Sequence, residues 1–167
     1  MSRELRHRIG TTAAIAIAAL LGTTGCSATS NPGDTNVEPA SVKKSVVDVV
    51  ERSAEAVGGS WKVYSGPSVE GCGDGVEDKA RYVYIMERSG STGDKPAEDV
   101  KAMAKFWDGE GIATTAYKSG GADPLLGMRG KGGPITTIAF NAYPERYSIT
   151  AVSACADGNV RDLLKDE

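Results

Sequence analysis

The chain has 167 residues, 25% of them charged, a formal net charge of −3 and one histidine. This acidic balance speaks against nucleic acid as a partner, which calls for clustered Lys and Arg, and against a basic membrane-binding patch. The histidine is His7, so the sequence beyond the N-terminal segment excludes Ser-His-Asp and Cys-His catalysis, histidine general bases and histidine metal ligands.

The chain opens with Arg3, Arg6 and Arg8, followed by an unbroken apolar run from Ala13 to Leu21 and then small residues up to Cys26. Positive charge, short apolar run and small residues, in that order, describe a secretory signal peptide. The run is too short to span a bilayer, which takes about 20 apolar residues. It is apolar all round, without the period of an amphipathic helix. Thr23-Thr24-Gly25-Cys26 resembles a lipobox, the site where bacteria attach lipid to a cysteine and cleave just before it. Thr24 and Gly25 supply the small residues, while Thr23 stands where the pattern usually has Leu. The resemblance implies a signal peptide over 1–25 and a Cys26 acylated through its thiolate. Its two or three acyl chains would hold the protein in the lipid bilayer, each buried CH₂ contributing about 0.8 kcal/mol. The expected location is the extracytoplasmic face of the cell membrane. Ordinary cleavage after Ala28, which would discard Cys26, is the competing reading.

Residues 26–40 comprise the lipidated cysteine and a polar stretch with Pro, Gly, Ser and Thr and no aromatic residue, the composition of a flexible tether reaching roughly 20 Å. Residues 41–167 are long enough for one domain. Over Ser41–Val57, the apolar residues Val42, Val46, Val49, Val50 and Val57 recur at helical spacing, with Gly58-Gly59 as a stop. A first strand begins at Trp61 and ends near Gly66-Pro67. Gly71 to Gly75 form a turn, and Arg81–Glu87 is a strand rich in Tyr, Val and Ile. Lys95-Pro96 opens a second helix, with acidic residues where the helix dipole favours them and an apolar face of Val100, Met103, Ala104 and Trp107. Ile112–Tyr117 is the next strand. The glycine-rich stretch Lys118–Pro134 reads as a long loop, and strands over Thr136–Ala142 and Tyr147–Cys155 close the chain. The expected fold is α+β in the order α-β-β-α-β-β-β, an antiparallel sheet of about five strands with two helices packed on one face.

Cys72 and Cys155 remain after Cys26. An even pair in an oxidising compartment points to a disulfide, which by loop entropy stabilises the fold by at most roughly 4–5 kcal/mol. The alternative is two buried free thiols. Taken together, several features resemble the small, mostly uncharacterised lipoproteins of actinobacteria. They are the lipobox-like segment, the tether, a helix ending in Gly-Gly-x-Trp, the Cys after the first strand, Phe106-Trp107 before a glycine turn, and the closing Ser-x-Cys. These motifs are structural and imply no activity.

The remaining chemical patterns fail on inspection. Ser41-x-x-Lys44 and Lys118-Ser119-Gly120 imitate motifs of penicillin-recognising enzymes, without the accompanying Ser-Asp-Asn. Glu70, Asp74, Glu77 and Asp78 surround Cys72 but lack the alternation of a calcium loop. Gly130-Lys131 lacks the rest of a P-loop. Trp61, Tyr82, Tyr84, Trp107 and Tyr147 read as core. No metal or cofactor is expected and no catalytic residue is assigned. The long loop offers Leu125, Leu126, Met128, Arg129 and Lys131 for contact with an unknown protein or small-molecule partner. The sequence therefore points to a non-enzymatic binding or accessory module. The alternative is a small hydrolase working through carboxylates alone.

Overall fold

A computed structural model describes residues 37–73, 78–90, 94–122 and 124–166. The first helix, α1 (Pro39–Val57), starts with Pro at its first turn, where the missing N–H costs nothing. It buries Val42, Val46, Val49, Val50, Ser53 and Ala54. Gly58, at φ 76°, ends it and returns its N–H to the Ala54 carbonyl at 2.9 Å. The second helix, α2 (Pro96–Gly109), repeats the device with Pro96, places Glu98 and Asp99 in its first turn and buries Met103 and Trp107. A short α3 (Val160–Leu163) follows near the C-terminus, its N-cap Asn159 accepting the Arg161 N–H.

The described strands are β1 (Lys62–Gly71), β2 (Lys79–Ser89), β3 (Ala113–Ser119), β4 (Leu125–Gly132), β5 (Ile135–Tyr143), β6 (Arg146–Ser153) and β7 (Ala156–Asp157). They form one antiparallel sheet in the order β1-β2-β6-β5-β4-β3, with β7 paired to β2. The chain makes the β1–β2 hairpin, crosses through α2 to the far edge and returns as the meander β3–β6, which ends beside β2. The inner face alternates into the core through Tyr82, Tyr84, Ile138, Phe140, Tyr147, Ile149 and Ala151, the period of two that strands require. Both long helices pack on this face, α1 over β2 and β6 and α2 over β3, β4 and β5. Trp107, fully buried, donates to Ser53 Oγ at 2.9 Å, and Ser53 donates to the Val49 carbonyl at 2.6 Å, so the helix pair is joined by a satisfied polar contact.

The α+β class, the antiparallel sheet, both long helices and the core aromatics Tyr82, Tyr84, Trp107 and Tyr147 are as the sequence implies, while Trp61 is only partly buried and packs against the core. Five further expectations are corrected, the placement of Cys155 among them. The described sheet has seven strands rather than about five, and a third helix closes the chain. The first strand continues past Gly66-Pro67 to Gly71 by absorbing register shifts between Val63 and Ser68. The expected loop Lys118–Pro134 contains β4, a seven-residue ladder on β3 and another on β5. Folded structure also begins before residue 41: Val37 N–H donates to Asp157 Oδ2 at 3.0 Å, and Asp157 N–H donates to the Val37 carbonyl at 2.9 Å. The signal, Cys26 and most of the tether lie outside the described residues.

Cys72 and Cys155 form a disulfide with Cα atoms 5.9 Å apart, within the range such bridges need. Cys155 lies just beyond β6, in the link to β7, rather than at a strand's end. The bridge therefore joins the end of β1 to the β6–β7 corner. At that corner the partner of β2 changes from β7 to β6, and Ser153 Oγ accepts the Tyr82 N–H at 2.9 Å.

Candidate functional site

The sheet face opposite the helices is where the structure gathers partly exposed chemistry. Strand register sets its side chains in rows. One row runs Tyr117, Gly127, Asn141, Ser148, Glu87, Lys62 across six strands. The next runs Thr115, Arg129, Ala139, Thr150, Ile85, Ser65, and the third Ala113, Lys131, Thr137, Val152, Val83, Ser68. Antiparallel neighbours on one face touch, so hydroxyls, the cations Arg129 and Lys131 and small apolar groups become contiguous across β3–β6. The second and third rows enclose a hollow of about 540 Å³ lined by Thr115, Arg129, Lys131, Thr137, Thr150 and Val152, among others.

The first row is a bonded ladder. Tyr117 OH donates to Asn141 Oδ1, and Asn141 Nδ2 donates to Ser148 Oγ at 2.9 Å. The Tyr117 ring can take this position only because Gly127 lies beneath it: a Cβ there would fall 2.4 Å from the ring. Arg129 caps the ring at 5.1 Å. Burial, followed by a hydrogen bond with Tyr143, pushes the Tyr117 phenol up to about 12, with Arg129 pulling the other way.

A second polar centre lies at the start of β1. Arg88, 8% exposed, places Nη1 2.9 Å from Asp94 and Nη2 4.0 Å from Asp99. Its guanidinium lies over the Tyr147 ring at 4.1 Å and the Trp61 ring at 5.6 Å. Tyr147 donates to Asp99 at 2.8 Å, and burial first, then Asp99, raises its pKa far above the usual phenol value. A cleft of about 640 Å³ beside it is lined by Lys62, Val63, Tyr64, Glu87, Arg88 and Arg146, among others. The two carboxylates face a cation, which is the arrangement of a structural ion cluster rather than of an acid–base pair.

The residues expected to form a contact loop are separated by their strand. Met128 is buried in the core, Leu126 is half-buried and Leu125 is 37% exposed at the strand's start. Arg129 and Lys131 reach the open face, so two of the five line the hollow. The rest of the hollow escaped sequence reading, although the outward threonines alternating with core residues in β5 and β6 signal it. Among the described residues no group of three or more His, Cys, Asp or Glu side chains could hold a metal ion; Asp74 and Glu77 lie outside them. Lys44 is ion-paired to Asp48. Ser41 lies on α1 and Ser119 on β3, so the two halves of the penicillin-type motif belong to different elements.

No protein-family model and no curated protein matches the chain. A solved structure similar to it is the crystal structure of a DUF4853 family protein from Actinomyces odontolyticus ATCC 17982. The identity is 19%, the TM-score 0.46, and the match covers 71% of this chain and 63% of that one. The chain thus spans less than two thirds of that protein's length.

Proposed function

We propose that this protein is a lipoprotein anchored through Cys26 on the extracytoplasmic face of the membrane, and that its domain is a non-enzymatic binding module working through the open face of the sheet. The observation that supports this reading is the hollow across β3–β6. It combines threonine hydroxyls, an apolar floor and the cations Arg129 and Lys131, the mix of apolar surface and a few placed polar groups that binding sites use. The cations suit a protein or small molecule presenting an anionic group. The partly buried carboxylates Asp94 and Asp99 are committed to Arg88 and Tyr147, so this pair does not favour the hydrolase alternative.

Thr150 lines the hollow from β6, a strand held from both sides. Thr150→Phe fills the space without touching the helix face. It is expected to abolish the partner that purifies with the wild-type protein from membranes, with the thermal midpoint moving by no more than a few degrees. Undiminished co-purification with the variant would refute the assignment of the hollow.

A further inference from the structure

The two edges of the sheet are built differently. The β1 edge is interrupted by two register shifts and contains Pro67, which has no N–H to offer a neighbour. Bulges and proline are two devices by which edge strands avoid pairing. The other edge, β3, has neither, and its one charge is Lys118 near the strand's end. Ala113–Ser119 keeps an unbroken seven-pair register with β4, contains no proline, and is exposed at every residue except the half-buried Tyr117. Its one bulky side chain is turned back over Gly127 toward Asn141, away from the edge.

We infer that β3 pairs antiparallel with the β3 of a second copy of this chain, extending the sheet across a two-fold axis. The occupant follows from the strand's own order, Ala-Thr-Thr-Ala-Tyr-Lys-Ser. Centred on Ala116, antiparallel self-pairing sets Thr115 against Tyr117, Thr114 against Lys118 and Ala113 against Ser119. No like charges stand opposite one another, and the Tyr117 ring, folded back over Gly127, leaves the approach to the edge clear. The isologous arrangement satisfies the same edge on both copies at once. The axis lies normal to the sheet, so both open faces point to the same side and the two hollows lie within one continuous surface. This inference does not depend on what the hollow binds.

Ala116 sits on the axis, so Ala116→Cys in the full chain brings two thiols within disulfide range, Cα atoms about 4.5–5.5 Å apart. Non-reducing electrophoresis of membranes is expected to show a species of twice the monomer mass, at least several-fold stronger than from Ser65→Cys on the β1 edge. Equal cross-linking from Ser65→Cys would overturn the inference. So would a link to another protein, or no link when a maleimide labels the thiol of Ala116→Cys. Charge substitution reads the same register independently. Differently tagged Ala116→Lys chains should fail to co-purify with one another, Ala116→Glu chains likewise, and Ala116→Lys with Ala116→Glu should co-purify. Equal co-purification in all three combinations would also overturn it.

Discussion

Arg88 and Tyr147 meet Asp94 and Asp99 in a cluster where each charge is held by another. Arg88→Met takes the cation from two largely buried carboxylates and should cost about 3–5 kcal/mol, read from the midpoint of urea unfolding. Arg88→Lys should recover only part of this, because an ammonium lacks the planar group that lies over Tyr147 and Trp61. The tyrosines give this residue chemistry a pH signature. Tyr117 is raised to about 12, and Tyr84 and Tyr147 are also raised, burial being the first cause in each. Their stabilising effect is complete below the ordinary phenol value of about 10 and is lost as pH rises through the folded values. Unfolding midpoints should hold up to about pH 10 and then fall, with part of the phenolate absorbance appearing only as the chain unfolds. A full tyrosine titration below pH 11 in the folded protein would contradict this.

At the scale of elements, the bridge between Cys72 and Cys155 closes a long loop. Cys72→Ala or Cys155→Ala should cost roughly 2–5 kcal/mol; a denaturation midpoint unchanged by dithiothreitol would show that the bridge contributes nothing. The helices were legible because Pro39, Pro96, Gly58 and the buried stripes state both ends and the inward face. β2 was legible from its Tyr, Val and Ile content, and β5 and β6 from apolar runs either side of the Tyr143–Arg146 turn. β4 was hidden by the glycines that fit it into place. Gly127 admits Tyr117 on one face, and Gly130 admits Trp107 on the other, where a Cβ would come 3.3 Å from the indole and closer still to Ile112 and Ile138. Local composition reads such positions as loop, because the rings that cover them come from other elements. The hollow was hidden for a related reason. Its rows run through β4, which brings Arg129 and Lys131 between β3 and β5, and a stretch that reads as loop offers no register to align them.

For the whole molecule, the lipid anchor is the property that the sequence proposes and the described residues do not reach. Among them, no helix is long and apolar enough to cross a membrane. Cys26→Ala should move the protein from the membrane fraction into the medium, and full retention of the variant would remove the anchor from the proposal. The clasp between Val37 and Asp157 has a mechanical consequence for a tethered domain. Among the described residues, load arriving from the N-terminal side is met at Val37, where two hydrogen bonds pass it to β7, and β7 is ion-paired to Lys79 of β2. Cys155 follows immediately and is bonded to Cys72. Pulling between the tether and the C-terminus can therefore strip α1, β1 and β7 from the fold. The strands from β2 to β6 lie inside the disulfide loop, shielded from tension for as long as that bond stays oxidised.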